Sequence, residues 1–138
     1  MIHMISLILS LPLWAQSILF PVADRIRFVD LSPGGGYGYT DLEGRIYLGP
    51  ECAKDGERER QCAIHEAMHV YGYGECMAYL IQLVLAVELK QRDESVSWAR
   101  SLYERYGVPA CETESLEGIA TTWVYPLEWM NPAWQARR

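Results

Sequence analysis

The rhythm of apolar and polar residues changes at Cys52. Before it, apolar residues come in short runs broken by glycine and proline; after it, they recur at helical spacing. Arg25-Ile26-Arg27-Phe28-Val29-Asp30-Leu31 alternates charged and apolar side chains, the mark of a half-buried strand. Ser32-Pro33-Gly34-Gly35-Gly36 reads as a turn or mobile loop. Tyr37-Gly38-Tyr39-Thr40 is a second strand and Asp41-Leu42-Glu43-Gly44 a tight connection. Arg45-Ile46-Tyr47-Leu48 is a third strand, stopped by Gly49-Pro50. These signals predict a small antiparallel sheet, or a hairpin beside one more strand.

Beyond Cys52 the pattern is helical. Asp55 or Gly56 caps a helix from about Glu57 to Tyr71, with Glu57 and Glu59 in the first turn where acidic groups suit the helix dipole. Gly72 and Gly74 end it. A second helix is expected from Glu75 to about Gln91, apolar on most sides and therefore buried. A third, amphipathic helix runs from about Glu94 to Tyr106 and stops at Gly107-Val108-Pro109. The tail holds one more helical stretch, Thr113 to Trp123, and then an irregular segment in which Trp123, Trp129 and Trp134 cover the core or line a pocket. Strands followed by helices give an α+β fold, with an N-terminal sheet and a packed helical C-terminal half.

Two stretches refine this picture. The apolar run Met4 to Leu13, broken by Pro12 and followed by Ala15, suits the core of a signal peptide cleaved after residue 15. Its alternative is a buried N-terminal helix or strand. The run is far too short to span a bilayer, and the apolar second helix is also short for one, so no stable membrane span is expected. Residues 16–138 then form a single domain, since 138 residues suffice for one core and not two. A net charge of −6 and scattered basic residues exclude sequence-independent nucleic-acid binding. Cys52, Cys62, Cys76 and Cys111 allow two disulfides in three connectivities, or a set of buried thiols. Their spacings do not form a zinc-ribbon pair. The protein is expected to be secreted or periplasmic if the leader is cleaved, and otherwise cytoplasmic.

The chemistry lies in His65-Glu66-Ala67-Met68-His69. Residues four apart on a helix share a face, so both imidazoles reach one metal ion. Imidazole suits zinc, and two histidines leave places for a third side chain and for water. Glu66 stands off the line of the histidines, where it can take a proton from that water as general base. Two of the chain's 3 histidines fall in this motif; His3, near the terminus, has no assigned role.

His65 to Glu75 resembles the active-site helix of zincin metallopeptidases and the turn after it. In the gluzincin-like branch the third ligand is a glutamate early in the next helix, within E-x-x-A, and Glu75-Cys76-Met77-Ala78 matches that pattern. In the metzincin-like branch the motif continues to a glycine and a final His or Asp; Gly72 matches and Glu75 replaces the final ligand. That branch also needs a Met-containing turn, for which Met130 is a weak match. The helical pattern after Glu75 favours the first branch, and both nominate His65, His69 and Glu75. The resemblance covers roughly residues 45 to 80. It implies a zincin-like fold, one Zn²⁺ per chain and a peptide or protein substrate. A zincin strand before the active-site helix commonly runs along the cleft and pairs with extended substrate, and Arg45-Ile46-Tyr47-Leu48 stands in that place, either to add a substrate strand or simply as a structural edge strand. Tyr71, Tyr73, Tyr79 and Tyr125 are candidates to stabilise an oxyanion. Cys62 and Cys76, beside the motif and Glu75, are core thiols or disulfide partners.

The expected activity is zinc-dependent hydrolysis of peptide bonds, with Glu66 as general base. Two alternatives stand beside it. One is a zinc amidohydrolase acting on a non-peptide substrate. The other is a non-catalytic binding protein whose fourth metal position is closed, for example by Cys62.

Overall fold

The computed structural model describes residues 2–30 and 36–113. Two short helices open the chain, α1 (Ile2–Leu9) and α2 (Leu13–Leu19), followed by a 3-10 turn over Phe20–Arg25. Three short strands come next: β1 (Ile26–Phe28), β2 (Gly38–Thr40) and β3 (Ile46–Leu48). Then follow α3 (Gly56–Val70), α4 (Glu75–Glu88), α5 (Asp93–Leu102), a π-helical turn over Tyr103–Gly107, and α6 (Val108–Thr113). The described residues therefore form an α+β fold.

The sheet is mixed rather than antiparallel. Its order is β1-β3-β2, with β1 parallel to β3 and β2 antiparallel to it. The Asp41–Gly44 turn makes the expected hairpin: Asp41 Oδ1 accepts from the amides of Glu43 and Arg45, and Gly44 adopts φ +81°. β3, not β2, lies against β1. Residues 45–48 are thus the centre of the sheet, which corrects their expected place at its edge. Ile46 and Leu48 of β3 are fully buried.

The helical half departs from expectation in two places. α4 is not buried all round, since Val84 and Val87 are exposed while Met77, Ala78, Ile81 and Leu85 face the core. The third helix does not stop at Gly107; the chain passes through the π-helical turn into α6. Pro109 lies just after the π-helical turn, at the second residue of α6. The sequence expected from Thr113 onward, including Trp123, Tyr125, Trp129, Met130 and Trp134, lies outside the described residues beyond Thr113, as does most of the Ser32–Gly36 loop.

The N-terminal residues pack inside. Met4, Leu7, Ile8, Leu11 and Ala15 join Ile64, Met68 and Leu85 in one core. Two disulfides, Cys52–Cys62 and Cys76–Cys111, tie the loop before α3 to that helix and the start of α4 to α6. Among the described residues no helix is long and apolar enough to cross a membrane.

Candidate metal centre

The site begins with the ends of α3. The Asp55 side chain accepts from the amide of Arg58 at 2.8 Å and starts the helix. At the other end Gly72 takes φ +93°, its amide donates to the carbonyl of His69, and the amide of Tyr73 donates to that of Met68. This is the Schellman arrangement, which needs a left-handed residue and so favours glycine. It reverses the chain sharply enough for α4 to start at Glu75 and lay its first turn against the last turn of α3.

That reversal brings the expected ligands together. His65 Nε2 lies 3.2 Å from His69 Nε2 and 3.2 Å from Glu75 Oε1. Glu75 Oε1 also contacts His69 Nε2 directly. The opposite nitrogens of both rings are held by groups that only accept. His69 Nδ1 faces the carbonyl of Tyr73 at 2.9 Å, and His65 Nδ1 faces Gln82 Oε1 at 2.9 Å. Each ring therefore carries its proton on Nδ1 and turns the Nε2 lone pair inward.

With both rings neutral, two imidazole lone pairs and a carboxylate oxygen converge, an arrangement that either a proton on Nε2 or a bound cation satisfies. Ligands held 2.0–2.1 Å from a tetrahedral centre sit about 3.3–3.4 Å apart, close to the two spacings from His65 Nε2, while His69 Nε2 and Glu75 Oε1 lie closer together than that. The nitrogen–oxygen donor set suits zinc. The residues present could hold a metal ion.

Electrostatics point the same way. Burial alone would lower the pKa of His69, but the Glu75 hydrogen bond and the charges of Glu66 and Glu75 outweigh it and raise the value. Burial would raise the pKa of Glu75, yet its hydrogen bonds to His65 and His69 hold the carboxylate far below the usual range. Positive charge is stabilised here, whether supplied by a proton or by a metal.

Glu66 competes with Glu75 for the third place, because His65, Glu66 and His69 offer ligand atoms all within 4.8 Å of one another. Geometry separates their roles. Glu66 Oε2 stands 3.7 Å from His65 Nε2, and its other oxygen accepts from the Thr40 hydroxyl at 2.8 Å. Glu66 is 6% exposed, whereas the Glu75 side chain touches both histidines. Glu75 contacts both histidines, and Glu66 stands beside them.

These groups open into a cleft of about 830 Å³, with Tyr37, Tyr39, Tyr79, Trp98, Arg105 and Tyr106 along its walls. Among the described tyrosine candidates, Tyr79 touches the site: its ring meets that of His65 edge-on at 4.3 Å. Burial and then the charges of Glu75 and Glu66 raise its pKa, so its hydroxyl remains a donor. Tyr73 lines the cleft, but its carbonyl is what serves His69. Tyr71 points away, donating to the carbonyl of Ile18, and burial pushes its pKa up to about 12. Cys62 and Cys76 are both disulfide-bonded, so neither offers a thiolate to the metal. His3 pairs with Glu59, apart from the site.

Sequence reading missed Gly38, Thr40 and Gln82. Thr40 and Gly38 come from β2, which is the edge strand beside the cleft in place of β3. A Cβ on Gly38 would stand 2.8 Å from Glu66 Cγ and Oε2, so glycine is needed for β2 to approach the carboxylate. The run Tyr37-Gly38-Tyr39-Thr40 held a hint, since a glycine inside a strand marks a close approach. Gln82, seven residues after Glu75 on α4, gave no signal before the helices were placed. Family models, curated proteins and solved structures give no match to this chain.

Proposed function

We propose that this protein is a zinc-dependent peptidase with a zincin-like centre, in which His65, His69 and Glu75 hold the ion and Glu66 is the general base. The observation that carries the reading is the convergence of the two Nε2 atoms and Glu75 Oε1, with Glu66 Oε2 beside them at 3.7 Å from His65 Nε2. A zinc ion held there supplies a Lewis acid and lowers the pKa of a coordinated water.

The chain's own residues do the rest. Glu66 accepts a proton from the attacking water and returns it to the leaving amine. Thr40 holds one Glu66 oxygen, leaving the other, Oε2, on the histidine side. Tyr79 donates to the oxygen of the scissile carbonyl as it gains negative charge. β2 is an edge strand whose residues line the cleft, and its outer backbone offers pairing to an extended chain. That edge favours a peptide over a non-peptide amide. Two disulfides are compatible with an extracellular or periplasmic setting.

Incubation of zinc-loaded protein with a mixed-sequence peptide library, read by mass spectrometry, tests the proposal. Internal cleavages that vanish with a chelator and return with zinc are expected. An intact library beside hydrolysis of small non-peptide amides would move the assignment to an amidohydrolase.

A further inference from the structure

We infer that Gln82 is a positioning residue for the zinc centre, and that backbone carbonyls on the far side of α3 set the tautomer of His65 through a chain of three glutamines. The inference rests on the zinc reading above.

Gln61 is fully buried, Gln82 is 2% exposed and Gln91 is 8% exposed. Gln61 lies on α3 four residues before His65, Gln82 on α4, and Gln91 in the connection between α4 and α5. Their hydrogen bonds run in one direction. His65 Nδ1 donates to Gln82 Oε1 at 2.9 Å, and Gln82 Nε2 donates to Gln61 Oε1 at 2.9 Å. Gln61 Nε2 then donates to Gln91 Oε1 at 2.8 Å and to the carbonyl of Ser95 at 3.0 Å. Gln91 Nε2 ends the chain on the carbonyl of Glu57 at 3.2 Å.

The direction is forced from the far end. A backbone carbonyl only accepts, so Ser95 requires the amide nitrogen of Gln61 to face it, and Glu57 requires the same of Gln91. Gln61 Oε1 must then face Gln82, which turns the Gln82 nitrogen toward it and the Gln82 oxygen toward His65. A flip of any one amide would set oxygen against oxygen or nitrogen against nitrogen in a buried place, which is costly. His65 is left with its proton on Nδ1 and a bare Nε2 in the cleft. The amide chain performs for His65 what one carbonyl, that of Tyr73, performs for His69. Apolar residues would fill the same space between α3, α4 and α5 without the desolvation cost, but they could not orient an imidazole.

Zinc affinity measured by competition with a chromophoric chelator tests this on wild type, Gln82→Met, Gln82→Glu and Gln61→Met, with helix content followed by circular dichroism. Gln82→Met keeps the volume and removes the acceptor, and its zinc affinity should fall 10- to 100-fold, the usual scale for losing such a partner. Gln82→Glu still accepts from Nδ1 and should stay within a few fold of wild type, even though its buried carboxylate makes the metal-free protein melt earlier than Gln82→Met. Gln61→Met does not touch His65 and should still weaken zinc several-fold. A purely structural role predicts the reverse order, with zinc affinity following stability. Wild-type affinity in Gln82→Met, or a Gln82→Glu protein no better than Gln82→Met, overturns the positioning role. Wild-type affinity in Gln61→Met overturns the chain. A wild-type protein that takes up no zinc overturns the metal centre itself, and the positioning role with it.

Discussion

The hydroxyl of Thr40 is shared between Glu66 Oε1, at 2.8 Å, and the Glu66 carbonyl, at 3.0 Å, tying the proposed base to the edge of the sheet. Thr40→Val keeps the shape and removes the donor. A hydrogen bond to a charged group contributes about 1.5–3 kcal/mol. Peptidase turnover should therefore fall roughly 10- to 100-fold while bound zinc stays at wild-type level, a comparison read from kinetics and metal content on one preparation. Equal loss of zinc and turnover would place Thr40 with the ligands instead.

Glu75 is the proposed ligand that sequence supports least. Glu75→Gln should weaken zinc binding at least tenfold, because an amide oxygen is a poorer partner for the ion and for His69. Glu59→Gln, at the opposite end of α3, should leave affinity unchanged. Isothermal titration of both variants decides the matter, and equal affinities would remove Glu75 from the site.

The disulfide Cys76–Cys111 anchors the residue next to Glu75 to α6. Replacing both cysteines by alanine should lower stability by about 2–4 kcal/mol, as loss of such a cross-link does. The first turn of α4 is then less constrained, and zinc affinity should fall with it. Denaturant unfolding in the presence of a chelator, beside zinc titration, separates the two effects.

Arg92 links the starts of α3 and α5. Its guanidinium bonds Glu57 at 2.7 Å and the capping Asp55 at 2.9 Å. The Arg92 hydrogen bond, working against some burial, holds the Glu57 carboxyl below its ordinary 4.5. A carboxylate with a depressed pKa stabilises the fold above its unfolded value and loses that contribution as pH falls through the folded value. Arg92→Ala should thus melt earlier than wild type at neutral pH, with the gap closing below pH 4.5. A gap independent of pH would contradict the pairing.

The helices and the clustering of His65, Glu66 and His69 are largely legible in the sequence because their signals are local. Asp55 caps α3, Gly72 ends it, and His65, Glu66 and His69 fall at helical spacing between them. Glu75 was legible because the turn from Gly72 to Gly74 is short. The sheet is less so: short strands fix which residues alternate but not which strands pair, so the sequence puts β3 at the edge that β2 occupies. Gly38 and Thr40 consequently went unnoticed, since their role depends on β2 lying against Glu66. The glutamines were hidden for a related reason, because Gln61, Gln82 and Gln91 look like surface residues until three helices close over them.

The most direct measurement is turnover and bound zinc in one preparation of Glu66→Gln, beside wild type, on a peptide the wild type cleaves. Both proteins should carry about one zinc per chain, since Glu66 stands outside the ligand set. The variant should lose at least about a hundredfold in turnover, the scale for removing a general base. Wild-type turnover in Glu66→Gln, or loss of its zinc, would contradict the division of labour between Glu66 and the three ligands.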